Sequence, residues 1–442
     1  VSSDDVFFAE WRSRGREERR SLPRARHLLD LLDCPEAGAP VLTVVGSKGK
    51  GTAATYASAY FAASGLKVVS VTSPALRANR ERIRVDGAAV SDAKLRGIAA
   101  QISKGLRRMP DRETIPGYLS PAGLFTIAGV MHAREVGADV IVLEAGMGGG
   151  SDEVSLFPAH TVAMTEIFAE HLGVLGDTPA EIAREKAAVT SKRTRAVLSL
   201  PQQPSVQDAI NAVVHARAHL KVETLATGPG TRPPTVSSTL DTGSGTLLPI
   251  DPPTVATWSA TAPPPSILPP SYGRWNAELG CAAAARTLSL LGKDQPGPQR
   301  LHDVLASVRL PGRLSFHTLP ESGTELCVDS AINRAGVATA LAMVRERWPD
   351  IDHVLLCLPD HKDVQGVVTE LDGLPVTFVR LALPHLRFNS PLPAGWTVID
   401  EEALTRPLLT EAGQHILALG TVYFTGKVLN AINAPTEQLF TP

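Results

Sequence analysis

Cysteine is scarce in this chain of 442 residues: there are four, at Cys34, Cys281, Cys327 and Cys357. They lie far apart in largely apolar surroundings and lack the close pairing of a metal site, so they read as core thiols of a reducing compartment. Net charge is nearly absent, since 43 Lys and Arg stand against 45 Asp and Glu to leave −2. So weak a field argues against recruiting nucleic acid or anionic membrane by overall charge, and points to small-molecule partners. No apolar run approaches the roughly 18 residues that cross a bilayer. Residues Val1 to Arg20 carry acidic groups and then an Arg/Glu stretch, the reverse of a secretory leader. The expectation is a cytoplasmic globular protein, monomer or dimer, that engages neither nucleic acid nor membrane.

At about 150 residues per domain, the length predicts two to three domains. Short β-rich runs alternate with Ala/Leu/Arg segments of helical period, the pattern of an α/β protein with a mainly parallel sheet. Expected strands are Val41 to Val45, Val68 to Val71, Ala138 to Leu143 and His160 to Thr165. Thr178-Pro179-Ala180-Glu181 spells a helix start, with an N-cap Thr, Pro at the first turn and a capping-box Glu, for a helix running through Lys186. From Thr227 to Tyr272 the chain is rich in Pro, Gly, Ser and Thr, which predicts loops and short edge strands. After Arg274 a helical Ala-rich segment returns. Strands resume at Glu325 to Val328, His353 to Leu358, Val376 to Val379 and Ile416 to Leu419, so a first domain over 1–307 and a smaller α/β domain over 308–442 are expected.

The first strand runs into Gly46-Ser47-Lys48-Gly49-Lys50-Gly51-Thr52. Glycines let backbone N–H groups converge on phosphate oxygens, a lysine neutralises them, and a hydroxyl at the helix start can hold Mg²⁺. The extra Gly51 breaks the usual Gly-Lys-Ser/Thr order, so the loop alone also reads as a glycine-rich turn with exposed lysines.

This Gly-x-x-Gly-Lys-Gly-Thr loop resembles that of folylpolyglutamate synthases, relatives of the Mur ligases, and further blocks follow in the family's order. They are Thr72-Ser73-Pro74-Ala75-Leu76, Glu81-Arg82-Ile83, Glu144-Ala145-Gly146-Met147-Gly148-Gly149 with Asp152, Glu170-His171, and Glu185-Lys186-Ala187. Pro311-Gly312-Arg313, Asp329, Asn333 and Gly420-Thr421-Val422-Tyr423 complete the series, which covers roughly residues 40 to 430.

The resemblance implies a P-loop-type, mainly parallel sheet domain followed by a smaller Rossmann-like α/β domain. It also implies an ADP-forming ligase that turns a small carboxylic acid into an acyl phosphate and couples it to an amine or amino acid. Gly46, Gly49, Lys50, Gly51 and Thr52 would then bind ATP, with Lys50 on the β- and γ-phosphates. Thr52, Ser73 and Glu144 would hold a first Mg²⁺, and His171 a second one together with Lys186 if that lysine is carbamylated. Asn276 would lie at the adenine, Arg313 would clamp ATP from the smaller domain across a hinge near Val308, and Asp329 would meet the ribose. Each has an ordinary alternative: a solvated strand-end carboxylate for Glu144, a structural histidine for His171, an exposed cation for Lys186, a surface amide for Asn276, a linker salt bridge for Arg313 and a helix N-cap for Asp329.

The departures from the family pattern are selective. Ala75 and Ile332 stand where histidines are usual, Gly150 where an Arg is, and Gly123 at the position of a Glu. Tyr272-Gly273 replace a His-Gln pair, and Ser47-Lys48 a Thr-Asn pair. Losing cationic and hydrogen-bonding groups points to an acid other than folate. The alternatives are a divergent folylpolyglutamate or dihydrofolate synthase and, from another class, a catalytically silent nucleotide-binding partner protein.

Overall fold

Val41–Val45 is buried along its whole length and forms strand β1 of a sheet that is covered on both faces, as its unbroken apolar run requires. The computed structural model describes residues 2–15, 17–225, 267–269, 272–383 and 386–442. Most of the loop-rich segment expected over 227–272 therefore lies outside the described residues. The strands that follow are β2 (Val68–Val71), β3 (Ile83–Val85), β4 (Ala88–Ala89), β5 (Val140–Glu144), β6 (Thr161–Met164), β7 (Ala196–Ser199) and β8 (Glu223–Thr224). Among the described residues they form one sheet in the order β4-β3-β2-β5-β1-β6-β7-β8. Every pairing from β2 to β8 is parallel, and β3 and β4 close one edge antiparallel.

The helix Lys50–Ala63 leaves β1 and is buried on nearly all sides, which its run of Ala, Thr and Ser permits. Tyr272–Leu290 is a single helix, so the Ala-rich segment starts two residues before Arg274. Thr178 caps the helix Pro179–Ala187 by accepting the Glu181 N–H at 3.2 Å. Glu181 turns its carboxylate to the N–H of Asp177 at 2.7 Å, so only the threonine half of the expected capping box forms.

A second sheet contains β9 (Ser315–Thr318), β10 (Glu325–Asp329), β11 (His353–Cys357), β12 (Val376–Arg380), β13 (Thr397–Asp400) and β14 (His415–Gly420) in the order β13-β12-β11-β14-β10-β9. It is parallel except for β9. Apolar residues pack on both of its faces. The chain divides into one unit of 1–74, 80–308 and 438–442 and another of 75–79 and 309–437. All four cysteines are buried free thiols, and burial raises each above the ordinary thiol range. No helix among the described residues is long and apolar enough to cross a membrane.

Candidate active site

Strand register brings distant motifs to one end of the first sheet. Val44 of β1 lies opposite Glu144 of β5, Val45 opposite Met164 of β6, and Val71 of β2 opposite Leu143. The residues that leave these four strands therefore emerge side by side: Gly46 to Lys50, Thr165 to Glu170, Thr72-Ser73, and Glu144 itself. In an open α/β sheet this carboxyl end is where ligands bind.

The loop after β1 is shaped by backbone geometry. Gly49 has φ 83°, and a Cβ placed on it would stand 2.2 Å from the side chain of Asn276, so only glycine fits. As N-cap of the helix Lys50–Ala63, Gly49 offers no capping side chain. The first N–H groups of that helix remain suited to an anion. Lys50 Nζ donates to the carbonyls of Gly46 at 3.0 Å and Ser47 at 3.2 Å. Ser47 ties the loop to the segment after β6, its N–H reaching Glu166 O and its hydroxyl meeting both backbone groups of Phe168.

Glu144 is buried, accepts the N–H of Ser73 at 2.9 Å, and places Oε2 3.5 Å from the point where a Cβ of Gly51 would stand. Thr52 is buried in the first helical turn, and the Ser73 hydroxyl accepts from Arg82 Nη1 at 2.8 Å. Asn276 is a buried amide packed on Gly49, not a surface one.

Lys186 is 1% exposed. Its Nζ lies 2.8 Å from Glu170 Oε1 and donates to Gly46 O at 2.8 Å. Burial, and then the Lys50 cation, hold its pKa below the usual lysine range, while Glu170 pulls the other way. The exposed-cation alternative for Lys186 is thereby excluded. His171 is exposed at φ 48° in a turn whose carbonyl accepts the N–H groups of Val174 and Leu175. Sequence reasoning singles out His171 and passes over Glu170, the residue that pairs with Lys186. The only signal for Glu170 is its place beside His171 in one motif.

The turn after Glu144 is held from three sides. Asp152 Oδ2 accepts the N–H of Met147 at 3.0 Å and Arg20 Nη1 at 3.2 Å, while Arg20 Nη2 donates to Met147 O at 2.8 Å. Glu185 Oε1 accepts the N–H and hydroxyl of Ser151 at 2.7 and 2.6 Å. Glu153 is buried and accepts the Ser120 hydroxyl at 2.9 Å. Burial, reinforced by neighbouring Asp152, pushes its pKa up to about 7. A cavity of about 400 Å³ lies beside this turn, lined by Gly150, Arg26, Thr190 and Arg217 among others, and none of Lys50, Thr52, Ser73 or Glu144 lines it.

In the second unit, Asp329 Oδ2 at the end of β10 accepts the N–H of Leu314 at 2.8 Å. The helix that follows, Arg334–Arg345, is capped by Asn333, so Asp329 is not its N-cap. Arg313, next to Leu314, is exposed. Among the described residues no three His, Cys, Asp or Glu side chains form a metal-binding group. A cation at the first sheet would rest on hydroxyls with a single carboxylate.

No family model matches the chain. It is 38% identical over 165 residues to a probable bifunctional folylpolyglutamate synthase/dihydropteroate synthase of Haloferax volcanii, covering 37% of this chain and 19% of that one. To the dihydrofolate synthase/folylpolyglutamate synthase of Mycobacterium tuberculosis it is 27% identical over 372 residues, 80% of this chain and 72% of the relative. The chain spans well under half the length of the curated relatives it matches first. Its fold matches that of the Mycobacterium tuberculosis folylpolyglutamate synthase solved with ADP and AMPPCP, with a TM-score of 0.74, 22% identity, and coverage of 94% of this chain and 96% of that one. Part of the sequence is thus similar to curated folylpolyglutamate and dihydrofolate synthases, and the fold is that of folylpolyglutamate synthase.

Proposed function

We propose that the chain is an ATP-dependent, ADP-forming carboxylate–amine ligase. The observation that carries this reading is the convergence, at one end of the first sheet, of the glycine-lysine loop, Glu144 beside Gly51, and buried Lys186 on Gly46. A carboxylate oxygen attacks the γ-phosphorus of ATP, ADP leaves, and an acyl phosphate forms. The amine then attacks the acyl carbon, phosphate leaves, and the nitrogen gives up a proton. Positioning and electrostatics supply most of the acceleration of such steps.

Lys50 and the N–H groups of Gly51 and Thr52 bind the β- and γ-phosphates in this reading. Glu144 with the hydroxyls of Ser73 and Thr52 offers the hard oxygen donors that Mg²⁺ prefers. Mg²⁺ would supply charge neutralisation on the transferred phosphoryl group. Carbamylation of Lys186 needs a neutral amine, which its burial beside Lys50 favours, and His171 is the candidate for a second Mg²⁺. Asn276, which packs on Gly49, would in this reading meet the base.

The acid we propose is not folate. Support comes from Ala75 and Ile332, where the resemblance calls for histidines. Ile332 packs against the apolar core of the second unit and offers no polar group. The test incubates the protein with ATP, Mg²⁺ and a panel of acids and amines, reading ADP release and product mass. ADP release and a new amide mass with a non-pteroyl acid are expected. Turnover confined to folates with glutamate makes the protein a folylpolyglutamate or dihydrofolate synthase, and ATP binding without acyl transfer makes it a silent partner protein.

A further inference from the structure

Two of the departures, Gly123 and Gly150, sit where the resemblance calls for a carboxylate and a guanidinium, and in both places the structure supplies that group from elsewhere in the chain. Ser120 is the N-cap of the helix Pro121–Val136 and accepts the N–H of Gly123 at 2.9 Å. Gly123 is thus the third helical residue, where a capping box carries Glu or Gln. A Cβ on Gly123 would stand 2.0 Å from the carboxyl carbon of Glu153, so the acid fills the space of the missing side chain. That carboxyl accepts the hydroxyl of Ser120, the N-cap of this 16-residue helix.

At Gly150 the geometry is reciprocal. A Cβ there would meet Ala188 Cβ at 2.6 Å, so this packing excludes an arginine side chain. Arg20 instead brings its guanidinium to the same turn, 3.2 Å from Asp152 and 3.8 Å from Glu153 Oε2, with its other nitrogen on Met147 O.

The geometry points to a relocated ion cluster: Glu153 stands in for a carboxylate at position 123 and Arg20 for a guanidinium at position 150, and together with Asp152 and Ser120 they are positioning residues that lock the turn after Glu144. Their role in nucleotide binding rests on the function proposed above, whereas the exchange itself does not. It also removes Gly123 and Gly150 from the argument for a changed substrate.

A double-mutant cycle on the full chain tests this. Gly123→Glu puts two carboxyls in one space, and Glu153→Ala leaves the Ser120 hydroxyl without its acceptor and removes the carboxyl 3.8 Å from Arg20. Each lowers the melting temperature by roughly 5 °C. Gly123→Glu with Glu153→Ala returns the carboxyl by the other route and recovers at least half of the loss. A double variant that melts below both single ones, or fails to fold, overturns the exchange. Dissociation constants for Mg²⁺–AMPPCP, read well below melting, test the positioning role. Glu153→Ala weakens binding about tenfold and the double variant restores it. Unchanged affinity in a folded Glu153→Ala protein overturns that role. A wild-type protein with no affinity for the nucleotide defeats the proposed function and the positioning role, while the melting cycle still judges the exchange.

Discussion

The two units meet their departures from the family pattern in different ways. In the first, the residues missing at 123 and 150 are matched by Glu153 and Arg20, so charge and hydrogen bonding around the turn after Glu144 are kept although the sequence positions have changed. In the second, Ile332 has joined the apolar core and Asp329 is engaged by the Leu314 backbone. A packed site conserves its chemistry through space, and a position turned over to the core gives it up. The first unit is accordingly where we place phosphate and metal binding, and the second is where we look for a changed substrate.

The largest effects belong to the first unit. Lys50→Ala and Glu144→Ala each remove charge stabilisation without creating a large cavity. ADP formation should fall by about a hundredfold or more while circular dichroism and melting stay near wild type. Near-normal turnover in either would erase the contrast between the units. Arg313→Ala, an exposed side chain of the second unit, should lower the rate of ADP formation about tenfold with no loss of stability. An unchanged rate would remove Arg313 from the chemistry.

A smaller effect sharpens the account of the first unit through pH. Glu153 binds its proton more tightly in the folded chain, at about 7, than in the unfolded one, near 4.5. Its contribution to stability is therefore fully present below the unfolded value and is lost as the pH rises through the folded one. Between about pH 5 and 8 the wild-type melting temperature should fall relative to that of Glu153→Gln, and parallel curves for the two proteins would contradict the buried setting of this acid.

Much of this was legible in the sequence where the signal is local. The runs Val41 to Val45 and Val68 to Val71 are strands at those bounds, because continuous β-branched apolar residues between turn signals have few other uses in a parallel sheet. The Thr178 cap was equally readable, but Glu181 was not, since a carboxylate can choose between two N–H groups one residue apart. The partners of Lys186 were hidden: Gly46 is 140 residues away, and only the strand order that sets β6 beside β1 brings them together. Arg20 and Asp152, separated by 132 positions, and Ser120 and Glu153, separated by 33, were invisible for the same reason. Glycine at 123 and 150 read as loss, because a sequence shows which side chain is missing and not which other one occupies its space.

The central claim is that the loop after β1 and Glu144 form one magnesium-dependent triphosphate site. Calorimetric titration of Mg²⁺–AMPPCP into wild-type protein, Lys50→Ala, Glu144→Ala and the exposed-loop control Lys48→Ala tests it most directly. Saturable binding should occur in wild type and Lys48→Ala, weaken at least tenfold in Lys50→Ala, and lose its magnesium dependence in Glu144→Ala. Equal affinity across all four proteins, or none in the wild type, would contradict it.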